Sequence, residues 1–421
     1  MGQGHSETAD GQGHSETVVG QGHSETADKQ GDSETVVGQG HSETVDKQGE
    51  GYKRFSCENG GGQLIRMGVL IAFVLKKIIL FYDIRVNKGP GVKSGIQEQH
   101  LKAIEITQKI GNSSVIIDSE SIGATEYMID GSNANFGMPK PIKDFDGLDI
   151  IGYEHTIDIN GAGAIFLALQ PVIPFCIFAK FPTLIICKGG THGTMAPIYD
   201  YYDKIFKPMI LKYYSINTDI KFVKYGFFPH GGGEIHIIIY PLLKPLEPVT
   251  IVEPGIIQTV DIHINASRGN KYLLDMIRTC EKESFGFPTR IIREERKDKS
   301  GNNYIFIEVS TETCKYGFTK IIPPKTELIP AIEKFLCDVK QDLMEIIESH
   351  SCCDGHFQDQ PLIFALLASG VSKFSIAKVE PHTTAMMDIA TLMGAKMDII
   401  KEGKQTIIVI EGIGYNPIDL Y

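Results

Sequence analysis

The chain has 421 residues, a formal net charge of −11 and 42% hydrophobic residues. Ten acidic residues and two lysines give residues 1–50 a charge of −8, which leaves only −3 for the other 371 residues. The hydrophobic content excludes a wholly disordered chain. The nearly neutral body excludes a generally basic nucleic-acid coat, although a local basic groove is compatible with it. Because domains typically contain roughly 100–200 residues, this length predicts more than one domain.

Residues 2–46 form five copies of a nine-residue unit, and the first and third copies both read Gly-Gln-Gly-His-Ser-Glu-Thr-Ala-Asp. The unit has no aromatic residue, and its only branched aliphatic residue is Val. So little apolar surface cannot offset the entropy lost on ordering, so we predict a disordered tail over residues 1–50. Weak metal binding by its four histidines is the less favoured alternative.

The cysteines and the apolar runs bear on the cellular compartment, on zinc binding and on membrane insertion. Eight cysteines are scattered without a CxxC pair, and the N-terminus lacks a secretory pattern, which predicts reduced thiols in a nuclear or cytosolic protein. The neighbours Cys352 and Cys353 lack a second cysteine pair, so zinc binding is disfavoured. Two apolar runs, residues 69–81 and 162–187, are interrupted by lysines or prolines and predict buried core elements rather than membrane-spanning helices.

Helix and strand patterns alternate along the body from Tyr52 onward. We predict strands at 52–56, 114–117, 150–159, 184–187 and 235–240. We predict helices at 100–110 and 199–214, and a helix or a helix followed by a strand at 63–80. This alternation is typical of an α/β or α+β fold.

A change of composition after Pro241 predicts a second unit. Residues 242–254 contain three prolines and are predicted to form a connection. Beyond them we predict strands at 256–264, 290–293 and 304–309, and helices at 271–283 and 327–348. The charged run 293–299 is predicted to be a solvated hairpin or loop. The predicted division is a tail over 1–50, a first part over 51–251, an inserted smaller domain over 252–350 and a second part over 351–421.

The first candidate for chemistry is a glycine-rich segment, Glu58-Asn59-Gly60-Gly61-Gly62-Gln63-Leu64-Ile65-Arg66. Three glycines before a helix let backbone amides approach an anion, and the helix N-terminus adds a positive dipole end. Arg66, one turn into the helix, has the reach to clamp a phosphate through two hydrogen bonds. An ordinary glycine turn is the alternative.

Two further glycine-rich segments, residues 188–197 and 226–235, are candidates for ligand contact. The first follows a predicted strand, where the βα loops of α/β proteins bind ligands. The second contains Pro229 and three glycines immediately before a strand. The alternative for the first segment is a plain connecting loop, which the pattern alone favours, and the alternative for the second is close packing of two elements.

Two histidines precede predicted helices near the C-terminus. His356 is followed by Asp359 and Gln360, and His382 opens the next helical pattern. Histidine is a competent nucleophile in phosphoryl and nucleotidyl transfer, and Asp359 is placed to orient a ring or hold a metal ion. The alternative is that Asp359 and Thr383 are helix caps and that His382 is an ordinary loop residue.

Taken in this order, the four segments resemble the RNA 3′-terminal phosphate cyclase family over about residues 52–415. The resemblance implies a large domain of repeated βαβαββ units with a smaller inserted α/β domain. It also implies an ATP-dependent enzyme that converts an RNA 3′-phosphate to a 2′,3′-cyclic phosphate by ligase-type nucleotidyl transfer. A histidine is adenylylated, AMP moves to the RNA 3′-phosphate, and the 2′-hydroxyl then displaces AMP.

The resemblance further implies roles for individual residues. His382 matches the nucleophile, and Gln99-His100-Leu101 matches another family motif. ATP and Mg²⁺ or Mn²⁺ are the implied cofactors, with Glu58 as the implied metal ligand. The implied nucleotide-binding residues are Gln170, Pro197, His356, Asp359 and Gln360. The implied phosphate- and RNA-binding residues are Gln63, Arg66 and Lys88.

The chain departs from the family pattern at several positions. Asn59 stands where the family has Glu before the glycines, and Glu58 lies one residue earlier. Gly91 and Gln97 replace two arginines of a basic loop, and Tyr225 replaces an Arg or His. These changes bear on RNA-end and metal binding rather than on adenylylation.

The leading hypothesis is therefore an active cyclase whose partner is RNA with a 3′-phosphate end. The alternative is a catalytically impaired family member that binds RNA or pre-ribosomal particles. An enzyme of the same fold with a small anionic substrate, like the enolpyruvyl transferases, is less favoured because His382, Asp359 and Gln360 occur together. We expect no membrane association and infer no stable protein partner. The expected location is the nucleus, with the cytoplasm as the alternative.

Overall fold

A computed structural model describes residues 51–58, 61–86, 94–116, 122–242, 244–267, 269–296 and 300–416. The predictions for the tail over 1–50, for Asn59 and for Lys88 lie outside the described residues. Among the described residues, no helix combines the length and the apolar character needed to cross a membrane.

The first third of the body forms a four-stranded sheet covered by two helices. Its elements are β1 (Lys53–Ser56), α1 (Gly62–Leu75), β2 (Ile78–Tyr82), α2 (Glu98–Ile110), β3 (Ser114–Ile116) and β4 (Tyr127–Asp130). The spatial order is β1-β2-β4-β3, with β1 and β2 parallel and the other pairs antiparallel. Residues 63–74 of helix α1 are all buried, and apart from Gln63 and Arg66 their side chains are apolar, as expected for a helix that is packed on all sides.

The second third repeats this arrangement with one extra edge strand. Its elements are β5 (Lys140–Lys143), β6 (Asp149–Asp158), α3 (Ile165–Cys176), β7 (Thr183–Gly189), α4 (Tyr199–Tyr201), α5 (Lys207–Tyr214), β8 (Thr218–Lys224) and β9 (Gly233–Ile239). A π-helical turn over Tyr202–Phe206 joins α4 to α5. The sheet order is β5-β6-β7-β9-β8.

The last third begins with a short strand, β10 (Thr250–Ile251), and is interrupted by a segment with its own sheet. That segment contains β11 (Ile257–Ala266), α6 (Gly269–Glu281), β12 (Thr289–Glu295), β13 (Asn303–Thr311), β14 (Lys315–Ile322) and α7 (Leu328–Glu348). The chain then continues through α8 (Leu362–Leu367), β15 (Val371–Ile376), α9 (Pro381–Met393), β16 (Lys396–Glu402) and β17 (Gln405–Glu411).

Three sheets therefore share one topology. The orders β1-β2-β4-β3, β6-β7-β9-β8 and β10-β15-β17-β16 all place the fourth strand of a βαβαββ unit between the second and the third. In each, the first two strands are parallel and the remaining pairs are antiparallel. The predicted α/β (α+β) class of repeated units is confirmed. The domain boundaries drawn from the sequence stay predictions.

Two sequence interpretations are corrected by long-range contacts. Residues 242–254 are not only a connection, because β10 pairs in parallel with β15 through Thr250 and Lys373. The charged run 293–299 begins inside β12, and Arg296 is only 4% exposed. Its guanidinium lies 4.5 Å from the ring centre of Tyr225, so a cation–π contact holds part of this run in the interior.

Helix α3 shows how packing overrides local propensity. Pro171 and Pro174 each remove a backbone donor, which costs about 3 kcal/mol in an exposed helix interior. All but two residues of α3 are buried against the core, and α3 packs on α1. Burial of this length of apolar surface compensates the lost hydrogen bonds and keeps Gln170 facing α1.

Candidate active site

A cleft of about 510 Å³ opens between the third repeat and the inserted segment. One wall carries the side chains that the sequence singled out. These are Arg66, Gln170, Pro197, His356, Asp359, Gln360 and His382. The structure therefore brings together residues from α1, α3 and α9 and from the loops that precede α4 and α8.

His382 lies in the first turn of α9, where Pro381 opens the helix. The ring is exposed, and its Nδ1 lies 3.0 Å from Oε1 of Gln63, a residue 319 positions away in the chain. An amide oxygen only accepts, so Nδ1 carries the ring proton and Nε2 keeps its lone pair. Gln63 is 1% exposed in the first turn of α1 and orients the imidazole with Nε2 available for attack.

Arg66 places a buried positive charge beside this histidine. Its Nε and Nη2 donate to Oε1 of Gln170 at 3.3 and 3.1 Å. Burial lowers the pKa of Arg66 to about 10, against the opposing effect of Asp359. The guanidinium is therefore still charged at neutral pH, and a buried cation at the wall of a cleft is suited to bind a phosphate.

The turn before α8 supplies Asp359, His356 and Gln360. Burial raises the pKa of Asp359, and the charges of His382 and Arg66 oppose that rise. Gln360 donates through Nε2 to the backbone oxygen of His356, and the His356 ring meets Tyr201 edge-on at 5.5 Å. This turn is also tied to α9, because Nε2 of the buried Gln358 donates to the Thr383 hydroxyl.

The glycine-rich segment before α1 is shaped by a packed histidine. A Cβ on Gly62 would overlap the ring of His100 and lie 3.1 Å from Nη1 of Arg66, so only glycine fits at this position. Nδ1 of His100 accepts from the backbone N–H of Gln97, the N-cap of α2, at 3.1 Å. Burial lowers the pKa of His100 to about 4, with Arg66 adding to the effect, so the ring is neutral near pH 7.

The other two glycine-rich segments pack against each other. The backbone N–H groups of Thr191 and His192 both donate to the Gly226 oxygen, at 2.9 and 3.0 Å. A Cβ on Gly226 would overlap the backbones of Gly189 and Gly233. These glycines allow close approach of two loops, and the cleft receives only Met195 and Pro197 from them.

The opposite wall of the cleft was not anticipated from the sequence. It is formed by β14 and by the face of α7 that carries Asp338, Asp342 and Glu345. Partial burial raises the pKa of Asp342. The spacing of these acids places them on one helix face, which was a readable signal, but the sequence does not say what that face meets.

The metal prediction stays a prediction. Glu58 is exposed and is not among the described residues that line the cleft. In the part of the chain that the structure describes, no three His, Cys, Asp or Glu side chains are grouped closely enough to hold a metal ion. All eight cysteines are free thiols, seven of them buried, and no zinc set forms at Cys352 and Cys353.

Comparison with known proteins gives a consistent result. A family model described as RNA 3′-terminal phosphate cyclase matches residues 57–399. A Dictyostelium discoideum protein named probable RNA 3′-terminal phosphate cyclase is 29% identical over 86% of this chain and 82% of its own length. Proteins named RNA 3′-terminal phosphate cyclase from Desulfurococcus amylolyticus and Drosophila melanogaster are 26% and 24% identical. They are covered over 98% and 94% of their lengths, and the matches span 86% and 85% of this chain. Because the family model spans most of the body that carries the repeats and the cleft, the chain belongs to the RNA 3′-terminal phosphate cyclase family.

Proposed function

We propose that this protein is an ATP-dependent RNA 3′-terminal phosphate cyclase that works through a histidine–AMP intermediate on His382. The single observation that carries the proposal is the contact between Nδ1 of His382 and Oε1 of Gln63 at the wall of the cleft. It leaves Nε2 as the nucleophilic nitrogen beside the Arg66 cation. Family membership supports the same reaction class.

In the first step, Nε2 of His382 attacks the α-phosphorus of ATP, an N–P bond forms and the bond to pyrophosphate breaks. Negative charge develops on the phosphoryl oxygens. Arg66 lies in the same wall and stabilises that charge, while Gln63 keeps the imidazole proton on Nδ1. The α9 N-terminus adds the positive end of its dipole.

The adenosine is proposed to occupy the side of the cleft formed by Gln170, Pro197, His356 and Gln360. His356 offers an exposed aromatic face, and Pro197 offers a buried apolar surface. Asp359 contributes a carboxyl that faces His382 and Arg66. A volume of about 510 Å³ falls in the range of roughly 300–1,000 Å³ that is usual for small-molecule sites.

In the second and third steps, AMP moves from Nε2 to an oxygen of the RNA 3′-phosphate, and the neighbouring 2′-hydroxyl then attacks that phosphorus and releases AMP. We propose Arg66 and Lys88 as contacts for the RNA phosphate, whereas Gln63, which is only 1% exposed, acts by orienting His382. Because the body carries a charge of only −3, long-range attraction of RNA is weak and binding depends on these local contacts.

We propose that a divalent cation, Mg²⁺ or Mn²⁺, would enter the site bound to the phosphates of ATP. Magnesium sites of this kind use one or two carboxylates together with substrate phosphates, so a three-ligand protein cage is not required. Glu58 is the proposed carboxylate. The ion would neutralise triphosphate charge, and the protein groups described above orient the nucleophile and the nucleotide.

A catalytically impaired relative that binds RNA or pre-ribosomal particles is the second candidate. The observation that favours it is the departure from the family pattern at Asn59, Gly91 and Gln97. In either case we propose a nuclear location, with the cytoplasm as the alternative.

Incubation with α-labelled ATP and Mg²⁺ or Mn²⁺ tests the nucleophile. We expect an acid-labile protein–AMP adduct in wild type and none in His382→Ala. His230→Ala is the matched control, because His230 is an exposed histidine that does not line the cleft, and it should label like wild type. Labelling of His382→Ala at the wild-type level would refute the assignment. Labelled protein that fails to cyclise a 3′-phosphate RNA would favour the second candidate.

A further inference from the structure

The turn that carries His356 and Asp359 begins at a buried carboxylate, Asp354, which is only 3% exposed. Oδ1 of Asp354 accepts from the backbone N–H groups of His356 and Phe357, both at 2.8 Å. The same oxygen accepts from the Tyr201 hydroxyl at 2.7 Å. A carboxylate with several donors in a buried position forms strong, charge-assisted hydrogen bonds.

The second oxygen of Asp354 reaches the inserted segment. Oδ2 accepts from the backbone N–H of Gly317, in β14, at 2.8 Å. One side chain thus joins α4 of the second repeat, β14 of the inserted segment and the turn of the third repeat. The two walls of the cleft meet at this carboxylate, because Gly317 lines one wall and His356 the other.

Tyr201 is suited to remain a donor in this arrangement. It is 1% exposed, and burial together with the nearby Asp354 carboxylate raises the pKa of its hydroxyl well above the ordinary value. Its ring also meets the His356 ring edge-on, at 5.5 Å and 81°. The residue therefore contacts the turn through both its hydroxyl and its ring.

The far end of the same turn is coupled to the nucleophile. Gln358 donates to the Thr383 hydroxyl, and Thr383 is the neighbour of His382. The turn is consequently held at Asp354 and at Gln358, with His356 and Asp359 displayed to the cleft. A small displacement at the Asp354 end would move the nucleotide side of the cleft relative to His382.

We propose that Asp354 and Tyr201 are positioning residues that hold the His356–Asp359 turn in the geometry needed to bind ATP beside His382. This inference rests on the proposed function, since it assumes that the cleft binds ATP. Tyr201 does not line the cleft, and Asp354 lines it with a carboxylate whose two oxygens are already occupied by four protein donors. Their effect passes through the turn.

The chain offers a matched pair of variants. Tyr201→Phe removes a buried tyrosine hydroxyl that donates to Asp354, and the ring stays. Tyr304→Phe removes another buried hydroxyl, which donates to the carboxylate of Asp200 at 3.0 Å, one residue away from Tyr201 on α4. Both deletions break one tyrosine–carboxylate bond at the same helix, but only the first touches the nucleotide turn.

We expect Tyr201→Phe to raise the dissociation constant for ATP about tenfold, the size expected for the loss of one hydrogen bond to a charged group. Tyr304→Phe should change it less than about twofold, although both variants lose similar thermal stability. Asp354→Asn keeps the shape but replaces one acceptor oxygen by a donor, so it should weaken ATP binding further. Equilibrium binding of ATP, thermal unfolding and the rate of adduct formation are measured for all three.

Equal ATP affinity of Tyr201→Phe and Tyr304→Phe would overturn the inference, because a merely structural role would affect both alike. Failure of the proposed function has a different signature. Wild type would then bind ATP without forming a histidine adduct, and the two variants would still be compared by binding alone. A wild type with no ATP affinity would overturn both.

Discussion

The two walls of the cleft differ in charge, in the part of the chain that forms them, and in how far the sequence predicted them. One wall comes from the repeated units, where Arg66 donates to Gln170 and His382 donates to Gln63. The other comes from the inserted segment and presents Asp338 and Asp342 on one face of α7. A negatively charged nucleotide should therefore place its phosphates against the first wall. Under the proposed function, Arg66 attracts the phosphates while the carboxylates of α7 repel them.

The largest expected effect on this contrast comes from Arg66→Gln. The change removes the buried cation that faces the developing negative charge, and removal of one such group typically slows a reaction by about 100-fold or more. We expect this loss in the single-turnover rate of adduct formation. Arg66→Lys keeps the charge but cannot donate the two parallel hydrogen bonds of a guanidinium. Its rate of adduct formation should lie between those of wild type and Arg66→Gln. Arg278→Gln, on the exposed face of α6, is the matched control and should behave like wild type. Adduct formation by Arg66→Gln at the wild-type rate would contradict the prediction that this wall stabilises the negative charge.

A pH experiment tests the packing behind the same wall. The pKa of His100 is lowered from 6.5 to about 4, so between these values the unfolded chain binds more protons than the folded one. Stability from this group is therefore complete above pH 6.5 and is lost as the pH falls toward 4. From pH 6.5 to pH 5 the loss should be about 2 kcal/mol of the free energy of unfolding.

Denaturant unfolding of wild type and His100→Gln at the two pH values isolates this contribution. We expect wild type to lose stability on acidification relative to the variant, which cannot titrate at this position. Other buried histidines, such as His155, are present in both proteins and cancel in the difference. Parallel pH dependence of the two proteins would contradict a neutral buried His100.

A smaller effect is expected on the acidic wall. Asp342→Asn removes one repelling charge, so ATP should bind about two- to threefold more tightly at low salt, and the gain should shrink at higher ionic strength. Asp338→Asn is a useful comparison, since Asp338 already pairs with Lys334 at 3.1 Å. Weaker ATP binding in Asp342→Asn would show that α7 makes a favourable contact with the nucleotide, and the contrast between the walls would need revision.

The smallest effect is expected from deletion of residues 1–50. Every described residue that lines the cleft belongs to the body, and the tail's composition predicts no core of its own. Adduct formation should stay within about twofold of the full chain, because the net charge of −8 on residues 1–50 acts on the cleft only as screened, long-range charge. Complete loss of labelling would contradict the predicted independence of the tail.

The sequence predicted some parts of this architecture for clear physical reasons. Pro381 before an apolar periodic run predicted the start of α9, and Gly394, at φ 83°, ends that helix in the left-handed conformation that favours glycine. The alternation of helix and strand predicted the class. The resemblance implied that Gln63 lies near the phosphates and that His382 is the nucleophile. It did not predict the contact between them, and no local pattern reports on residues 319 positions apart.

Other parts depended on contacts that a local pattern does not encode. β10 has only two residues and exists because β15 lies beside it. Asp354 looked like an ordinary residue next to two cysteines, and its role is visible only from its donors on α4 and β14. The spacing of the acidic residues in α7 is enough to place them on one helix face, but the position of that face over the cleft follows from how the inserted segment packs.

The π-helical turn over Tyr202–Phe206 has a consequence for how this site can vary. A π-turn holds one residue more than the α-helical turn it replaces, and one residue corresponds to about 100° of rotation about the axis. The added residue therefore rotates the side chains of Asp200 and Tyr201 about the helix axis relative to those of Met209 and Ile210, which pack into the core. Deletion of a single residue from this turn would move Tyr201 away from Asp354 and Asp200 away from Tyr304, while the buried residues of α5 would keep their packing.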